Sequence, residues 1–281
     1  MRDISETIVT PMTEEECANW FRERGTRVIQ HQGRYWKETV RGFYQSVHWM
    51  AQLSAEEATS PTLLSWGFQT TLCEADAKAA NGSMPLHLLP NIEDYDLHSL
   101  SSNRRDHVRK FRKKVKVMEL ISPSVLQKQG YQVVVSALTR SGYGKPPSSE
   151  EYLAGIEKYV APGRRIILAG FMGDKLGGYL SGYVVNDIGY MEDLIISTEA
   201  LSSNISAGLR FEFVQLCRRN GEIRQIVSGL HAREDAGLCS FKEATGFSVK
   251  YIPAKVQMNP VVEKFIRWRY PHKYYRLTGH D

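Results

Sequence analysis

The spacing of hydrophobic positions changes along this chain, and each change marks an element. After Ser101 and Ser102, either of which can cap a helix, Val108, Phe111 and Val115 recur at helical spacing. They predict a helix to about Val117, apolar on one face and strongly basic on the other. A loop rich in Gly, Pro and Ser spans Ser141 to Ser149, and Glu150 to Val160 reads as a short helix closed by Pro162-Gly163. The period then shortens. Arg165 to Phe171 reads as a strand, Gly173-Asp174-Lys175 as a hairpin turn and Leu176 to Val185 as its partner. Asn186-Asp187 turns into a third strand from Gly189 to Ile196, completing an antiparallel meander.

Helical spacing returns with Ile205, Leu209, Phe213 and Leu216, predicting a helix from Ile205 to Arg219 that Asn220-Gly221 stops. Ile223 to Ser228 follows as a buried strand, Asp235 to Thr245 as a helix ended by Gly246, and Phe247 to Ile252 as a last strand. The second half is therefore three antiparallel strands, then helix, strand, helix, strand, which places the chain in the α/β (α+β) class. The first hundred residues mix aromatic pieces (Tyr35-Trp36, Phe43-Tyr44, Trp49) with a polar stretch from Glu74 to Ser83, and their pattern gives no order of elements.

Composition narrows the class of molecule. With 281 residues and 42% hydrophobic content, the chain can fill one large core or two ordinary ones. Its longest apolar runs, such as Ile166 to Phe171, fall far short of the roughly 20 residues that cross a bilayer, so no membrane partner is expected. The N-terminus, with Asp3, Glu6 and Glu14 to Glu16, lacks a signal-peptide pattern, which sets a cytoplasmic expectation. Cys17, Cys73, Cys217 and Cys239 lie far apart without a Cys-x-x-Cys pair, so neither a disulfide framework nor a metal site is expected. A net charge of +5 suits an anionic ligand without selecting nucleic acid.

Four segments carry a resemblance. They are Ser101 to Lys110, the strand pair around Leu176-Gly177-Gly178-Tyr179, the run Gly237 to Phe247, and the tail Tyr274 to Gly279. In this order they resemble the GNAT superfamily of N-acyltransferases, in the branch close to Fem-type aminoacyl and peptidyl transferases, over roughly residues 97 to 280. The resemblance implies a mixed, mostly antiparallel sheet flanked by helices. Residues 97–281 would form the acyltransferase domain and residues 1–96 an accessory lobe or a degenerate second copy.

It also implies acyl transfer from a thioester or ester donor to a small-molecule or peptide amine. That chemistry needs an acceptor for the ammonium proton, donors for the developing oxyanion and a fixed acyl donor. In the family pattern the third meander strand parts from its neighbour and carries an acidic residue. Here the matching run singles out Glu192 as base, with Asp193 on the opposite face of the strand, and the backbone of Leu194 and Ile196 as the orienting edge for the acyl carbonyl. Pairing of Glu192 or Asp193 with a nearby Arg or Lys is the plainer alternative.

The family's coenzyme A loop corresponds to Leu201 through Ser206. Leu201 replaces a basic or amide residue, and Asn204 and Ser206 replace glycines. Ser203, Asn204, Ile205, Ser206 and Ala207 would then hold the phosphates of acetyl-CoA or a longer acyl-CoA at a helix start. The departure keeps an acyl-carrier or aminoacyl-tRNA donor in play, as well as a non-catalytic binding protein of the same fold. Lys242 stands where many family members have a Tyr that protonates the leaving group; a surface lysine is the plainer reading. Arg104 and Arg105, at the start of the basic helix, are candidate substrate contacts, against a solvated charged face. His231, just beyond a predicted strand, is the histidine nearest the expected cleft. Nucleophile-elbow and dinucleotide fingerprints are absent from the sequence.

Overall fold

A computed structural model describes residues 1–280. The strands of the N-terminal part are β1 (Arg2–Asp3), β2 (Val28–His31), β3 (Arg34–Val40), β4 (Phe43–Ser46), β5 (Gly67–Thr71) and β6 (Gly82–Leu89); α1 (Glu14–Glu23) lies between β1 and β2. Next come α2 (Ser102–Lys114), β7 (Lys116–Glu119), α3 (Tyr131–Ser141) and α4 (Ser149–Tyr159). The meander is β8 (Ile166–Met172), β9 (Lys175–Val185) and β10 (Ile188–Ile196). The chain continues through α5 (Ile205–Asn220), β11 (Gln225–Leu230), α6 (Ala236–Glu243), β12 (Ser248–Met258), α7 (Pro260–Arg269) and α8 (Pro271–Thr278).

Two compact units result, and both are discontinuous in sequence. The first comprises residues 1–11, 89–227 and 244–246; the second comprises residues 12–88, 228–243 and 247–280. The boundary expected at residue 96/97 does not separate them. Its failure has a simple cause: β12 is tied to early strands, running antiparallel to β6 from Ser248↔Leu88 to Ala254↔Gly82 and to β5 from Ala254↔Thr71 to Met258↔Gly67. Such a ladder joins residues far apart in sequence, so adjacency along the chain does not set the unit.

In the first unit the strand order is β1-β7-β8-β9-β10-β11, with antiparallel neighbours up to β10 and a parallel β10–β11 pair. The core on one side gathers Leu126, Val133, Ile156, Ile167, Ala169 and Tyr179 beneath α3 and α4. α2 is capped by Ser101, whose side chain accepts from the Arg104 N–H, and it buries Val108 and Phe111. Phe111 lies so close to α5 that a Cβ on Gly208 would fall 2.1 Å from its ring. The predicted meander, helix and strands appear within a few residues of their expected bounds. The basic helix ends at Lys114 rather than Val117, because Lys116–Glu119 pairs with β8.

In the second unit the order is β6-β12-β5-β4-β3-β2, antiparallel except for the parallel β4–β5 pair. Trp36, Tyr44, Leu53, Phe68 and Leu72 pack together there. Tyr35-Trp36 and Phe43-Tyr44, which sequence alone did not order, thus lie in β3 and β4, where aromatic side chains pack well, and Trp49 lies in the turn after β4. α8 is fixed at its end by the Gln69 side-chain amide, which donates to the Leu277 carbonyl at 2.7 Å.

Candidate active site

The centre of the first unit's site is a β-bulge. On β10, Met191 faces Gly182 of β9 and Leu194 faces Leu180, so Glu192 and Asp193 together oppose Ser181 alone. A bulge breaks strict alternation, and the two carboxylates reach residues that touch one another, Glu192 reaching Arg165 and Asp193 reaching Tyr159. Glu192 pairs with Arg165, whose side chain is 1% exposed while that of Glu192 is 25% exposed. Asp193 accepts from the Tyr159 hydroxyl at 2.9 Å and from Ser181 Oγ at 3.3 Å. Arg165 closes the group: it donates to the Tyr159 carbonyl at 2.9 Å and lies over the Tyr159 ring at 4.2 Å. Burial, and then the Asp193 charge, push the Tyr159 phenol well above its usual range, so it stays a proton donor. The pairing with a nearby arginine, the plainer alternative for Glu192, is therefore present.

Past the bulge, β10 leaves β11. The two strands pair at Ile188, Gly189 and Tyr190, opposite Gln225, Ile226 and Val227, and at no later residue of β10. The Ser197 N–H donates to the Gly177 carbonyl at 2.9 Å, so position 197 is a hydrogen-bonded one in the β9–β10 ladder. Alternation then makes Leu194↔Leu180 and Ile196↔Gly178 non-hydrogen-bonded pairs, whose N–H and C=O groups point away from β9. This is the edge that β11 has vacated. On it, the Ile196 carbonyl already accepts from Arg140 of α3 at 2.9 Å.

The start of α5 is built as a short 3-10 turn, Leu201–Ser203, followed by Asn204 in the left-handed region (φ 61°, ψ 25°). Asn204 makes no side-chain cap bond. The first N–H groups of the helix, at Ile205, Ser206 and Ala207, are thus not covered by a capping side chain, and the helix dipole favours an anion there. Ser203 is buried and its hydroxyl donates to the Ala200 carbonyl at 2.6 Å, while Leu201 is exposed and offers no donor. An anion here would be held by backbone rather than by side chains. Ile205 is fully buried, its tip against Gly170 and Gly177, which locks the helix start onto β8 and β9. At the start of α2, Arg105 donates to the Leu100 carbonyl at 3.0 Å and Arg104 approaches His107, so both are partly held by their own helix end.

In the second unit, Lys242 is not a surface residue. It is 7% exposed and its ammonium donates to the Leu230 carbonyl at 3.3 Å. His231 is held by a 2.6 Å hydrogen bond between Nδ1 and the Tyr275 hydroxyl, which lies 3.0 Å from the Tyr251 hydroxyl. Beside them come two residues that sequence reasoning passed over, His87 of β6 and Cys239 of α6. One ligand atom from each of His87, His231 and Cys239 lies within 4.8 Å of the others. No spacing rule reveals this set, since its members stand in three separate parts of the chain. The nearest sequence signal was the Gly237 to Phe247 run, which contains Cys239.

No family model matches the chain, and no curated protein matches it either. Solved structures do. FemX superposes with a TM-score of 0.62 at 10% identity, covering 89% of this chain and 92% of that one. The C-terminal domain (DUF2156) of a putative lysylphosphatidylglycerol synthetase from Agrobacterium fabrum gives 0.57 at 10% identity, covering 91% and 97%. L-PGS from Bacillus licheniformis gives 0.56 at 11% identity, covering 97% and 99%. The fold is therefore of GNAT type, in the form shared with Fem-type transferases. No helix among the described residues is long and apolar enough to cross a membrane.

Proposed function

We propose that this chain is an acyltransferase that moves an acyl group from an activated ester or thioester to an amine. The observation that carries the reading is the parting of β10 from β11 after Tyr190, which leaves the backbone of Leu194 and the Ile196 N–H unpaired with β11 beside the Glu192 bulge, while the Ile196 carbonyl is held by Arg140. An extended acyl donor can add to such an edge by main-chain hydrogen bonds, fixing its carbonyl. Glu192 is the carboxylate on this edge that takes the ammonium proton as the amine attacks, and Arg165 fixes its position. Asp193, held by Tyr159 and Ser181, keeps the bulge in shape.

For the donor, the uncapped N–H groups of Ile205, Ser206 and Ala207 fit the pyrophosphate of an acyl-CoA. A second reading has its own support. Leu201 contributes no cation, the Ser203 hydroxyl is turned inward, and α2 presents Arg109, Lys110, Arg112, Lys113 and Lys114 on its exposed face. Together with the fold shared with FemX and with lysylphosphatidylglycerol synthetases, these features favour an aminoacyl-tRNA donor.

Titration with acetyl-CoA and with aminoacyl-tRNA separates the two. The acyl-CoA reading expects thermal stabilisation by acetyl-CoA, about 2.7 kcal/mol at a hundredfold excess over Kd. The tRNA reading expects binding that weakens steeply with salt, and no response to acetyl-CoA. If neither donor binds, the chain is a binding protein that kept the scaffold.

A further inference from the structure

We propose that His87, His231 and Cys239 of the second unit form a site for a divalent cation of the Zn2+ type, with two imidazole nitrogens and one thiolate as ligands and a fourth position open. The three residues come from β6, from the segment after β11 and from α6, and their ligand atoms all lie within 4.8 Å of one another. A tetrahedral zinc centre with bonds of about 2.0 Å to nitrogen and about 2.3 Å to sulfur needs ligand atoms roughly 3.3 to 3.6 Å apart. Side-chain rotations of about an ångström close that difference, and such shifts cost little beside a metal bond.

The orientation of each ligand supports the assignment. His87 is fully buried and its Nδ1 lies 3.1 Å from the Phe247 carbonyl. A carbonyl only accepts, so Nδ1 carries the proton and the lone pair sits on Nε2. His231 has Nδ1 2.6 Å from the Tyr275 hydroxyl, an oxygen that can accept its proton. A ring nitrogen tied to an oxygen while the other faces a metal is the usual outer-shell arrangement of a metal-bound histidine. The two imidazole planes cross at 80°, so the rings do not stack and both can address one point.

Cys239 is 8% exposed and its thiol meets the Ala232 carbonyl at 3.3 Å. Metal binding would exchange that S–H for an S–metal bond and release the proton to solvent. Around the site Glu243 and Asp235 stand against Lys242 and Arg233, and Arg276 is offset by its ion pair with Glu234. The thiolate then gives the site its negative charge. One soft sulfur with two imidazoles suits zinc over magnesium, which prefers oxygen. His231 is only half-buried, which gives the ion an entry path.

The test uses tag-free, full-length protein in reducing, chelator-stripped buffer. Zn2+ should bind at one equivalent with release of about one proton, read by calorimetry in two buffers of different ionisation enthalpy. Co2+ should give a near-ultraviolet thiolate charge-transfer band, and Mg2+ should not compete. Cys239→Ser should abolish the band, and Tyr275→Phe, which removes the hydroxyl that His231 shares with Tyr251, should weaken binding about tenfold to a hundredfold. Circular dichroism of each variant separates loss of the ligand from loss of the fold. If Zn2+ does not bind, if Co2+ gives no band, or if a folded Cys239→Ser variant keeps both, the assignment is wrong.

Discussion

Replacing Glu192 by Gln gives the sharpest physical test of the bulge. The change leaves the Arg165 guanidinium, 1% exposed, without its carboxylate. Removing one partner of a fully buried pair costs about 3–5 kcal/mol. Three features reduce that figure. Glu192 is a quarter exposed, so the pair is partly solvated; Gln keeps an acceptor oxygen; and Arg165 retains the Tyr159 carbonyl and its ring, the latter a contact of about 1 kcal/mol. The expected loss is about 2 kcal/mol. Arg165→Met leaves a carboxylate that can turn to water, and the double variant has no stranded charge at all. The double variant should therefore lose less than the sum of the two singles, with a coupling of about 1–2 kcal/mol. Urea unfolding of all four proteins at neutral pH measures the cycle. Additive losses, or a Glu192→Gln variant within 0.5 kcal/mol of the parent, would refute the reasoning, the margin being the usual size of a surface substitution. The catalytic assignment is separate: turnover by Glu192→Gln equal to that of the parent would remove the base while leaving the pair.

Three further outcomes follow from local geometry. Gly208→Ala should lower stability by about 1–2 kcal/mol in thermal unfolding, because a methyl group 2.1 Å from Phe111 forces α2 and α5 apart by more than helix propensity returns, whereas Gly155→Ala in α4, with nothing within 4 Å, should raise it by up to about 1 kcal/mol. Asn204→Ala should cost about 1 kcal/mol at its left-handed position and Asn204→Gly should not, and the Gly variant should bind an anionic donor as well as the parent if backbone N–H groups hold the phosphate. His48, buried and kept below its ordinary proton affinity by burial, is neutral in the fold, so the unfolded chain binds the extra proton first and stability falls as pH drops below about 6.5. Glu14 resists protonation despite its burial, through the His48 hydrogen bond and the Arg34 charge, and adds a second loss below about pH 4.5. A His48→Gln variant should flatten the upper part of that curve in denaturation at a series of pH values.

Much of the first unit could be read from the chain alone, because its signals are local. The meander from Ile166 to Ile196 is three long apolar runs divided by turn residues at Gly173 and Asn186, and α5 runs from Asn204 to a left-handed Gly221. Periodicity and turn chemistry fix such elements within a few residues. The strands before residue 90 were not legible, since short pieces such as Phe43–Ser46 and Gly67–Thr71 are buried throughout and carry no alternation. The unit boundaries were equally hidden, because the β12 ladders to β5 and β6 join segments that nothing local connects.

The candidate sites divide in the same way. Glu192 and the start of α5 were singled out by the resemblance of their segments to the family pattern. That Glu192 meets Arg165, that Asp193 meets Tyr159, and that Lys242 is buried followed only from the bulge and the packing. His231 and Cys239 are near neighbours in sequence but His87 is remote from both, and the three converge only when β6, the end of β11 and α6 come together. Sequence sets which groups exist and which way each strand or helix turns them; long-range pairing sets which of them share a point in space.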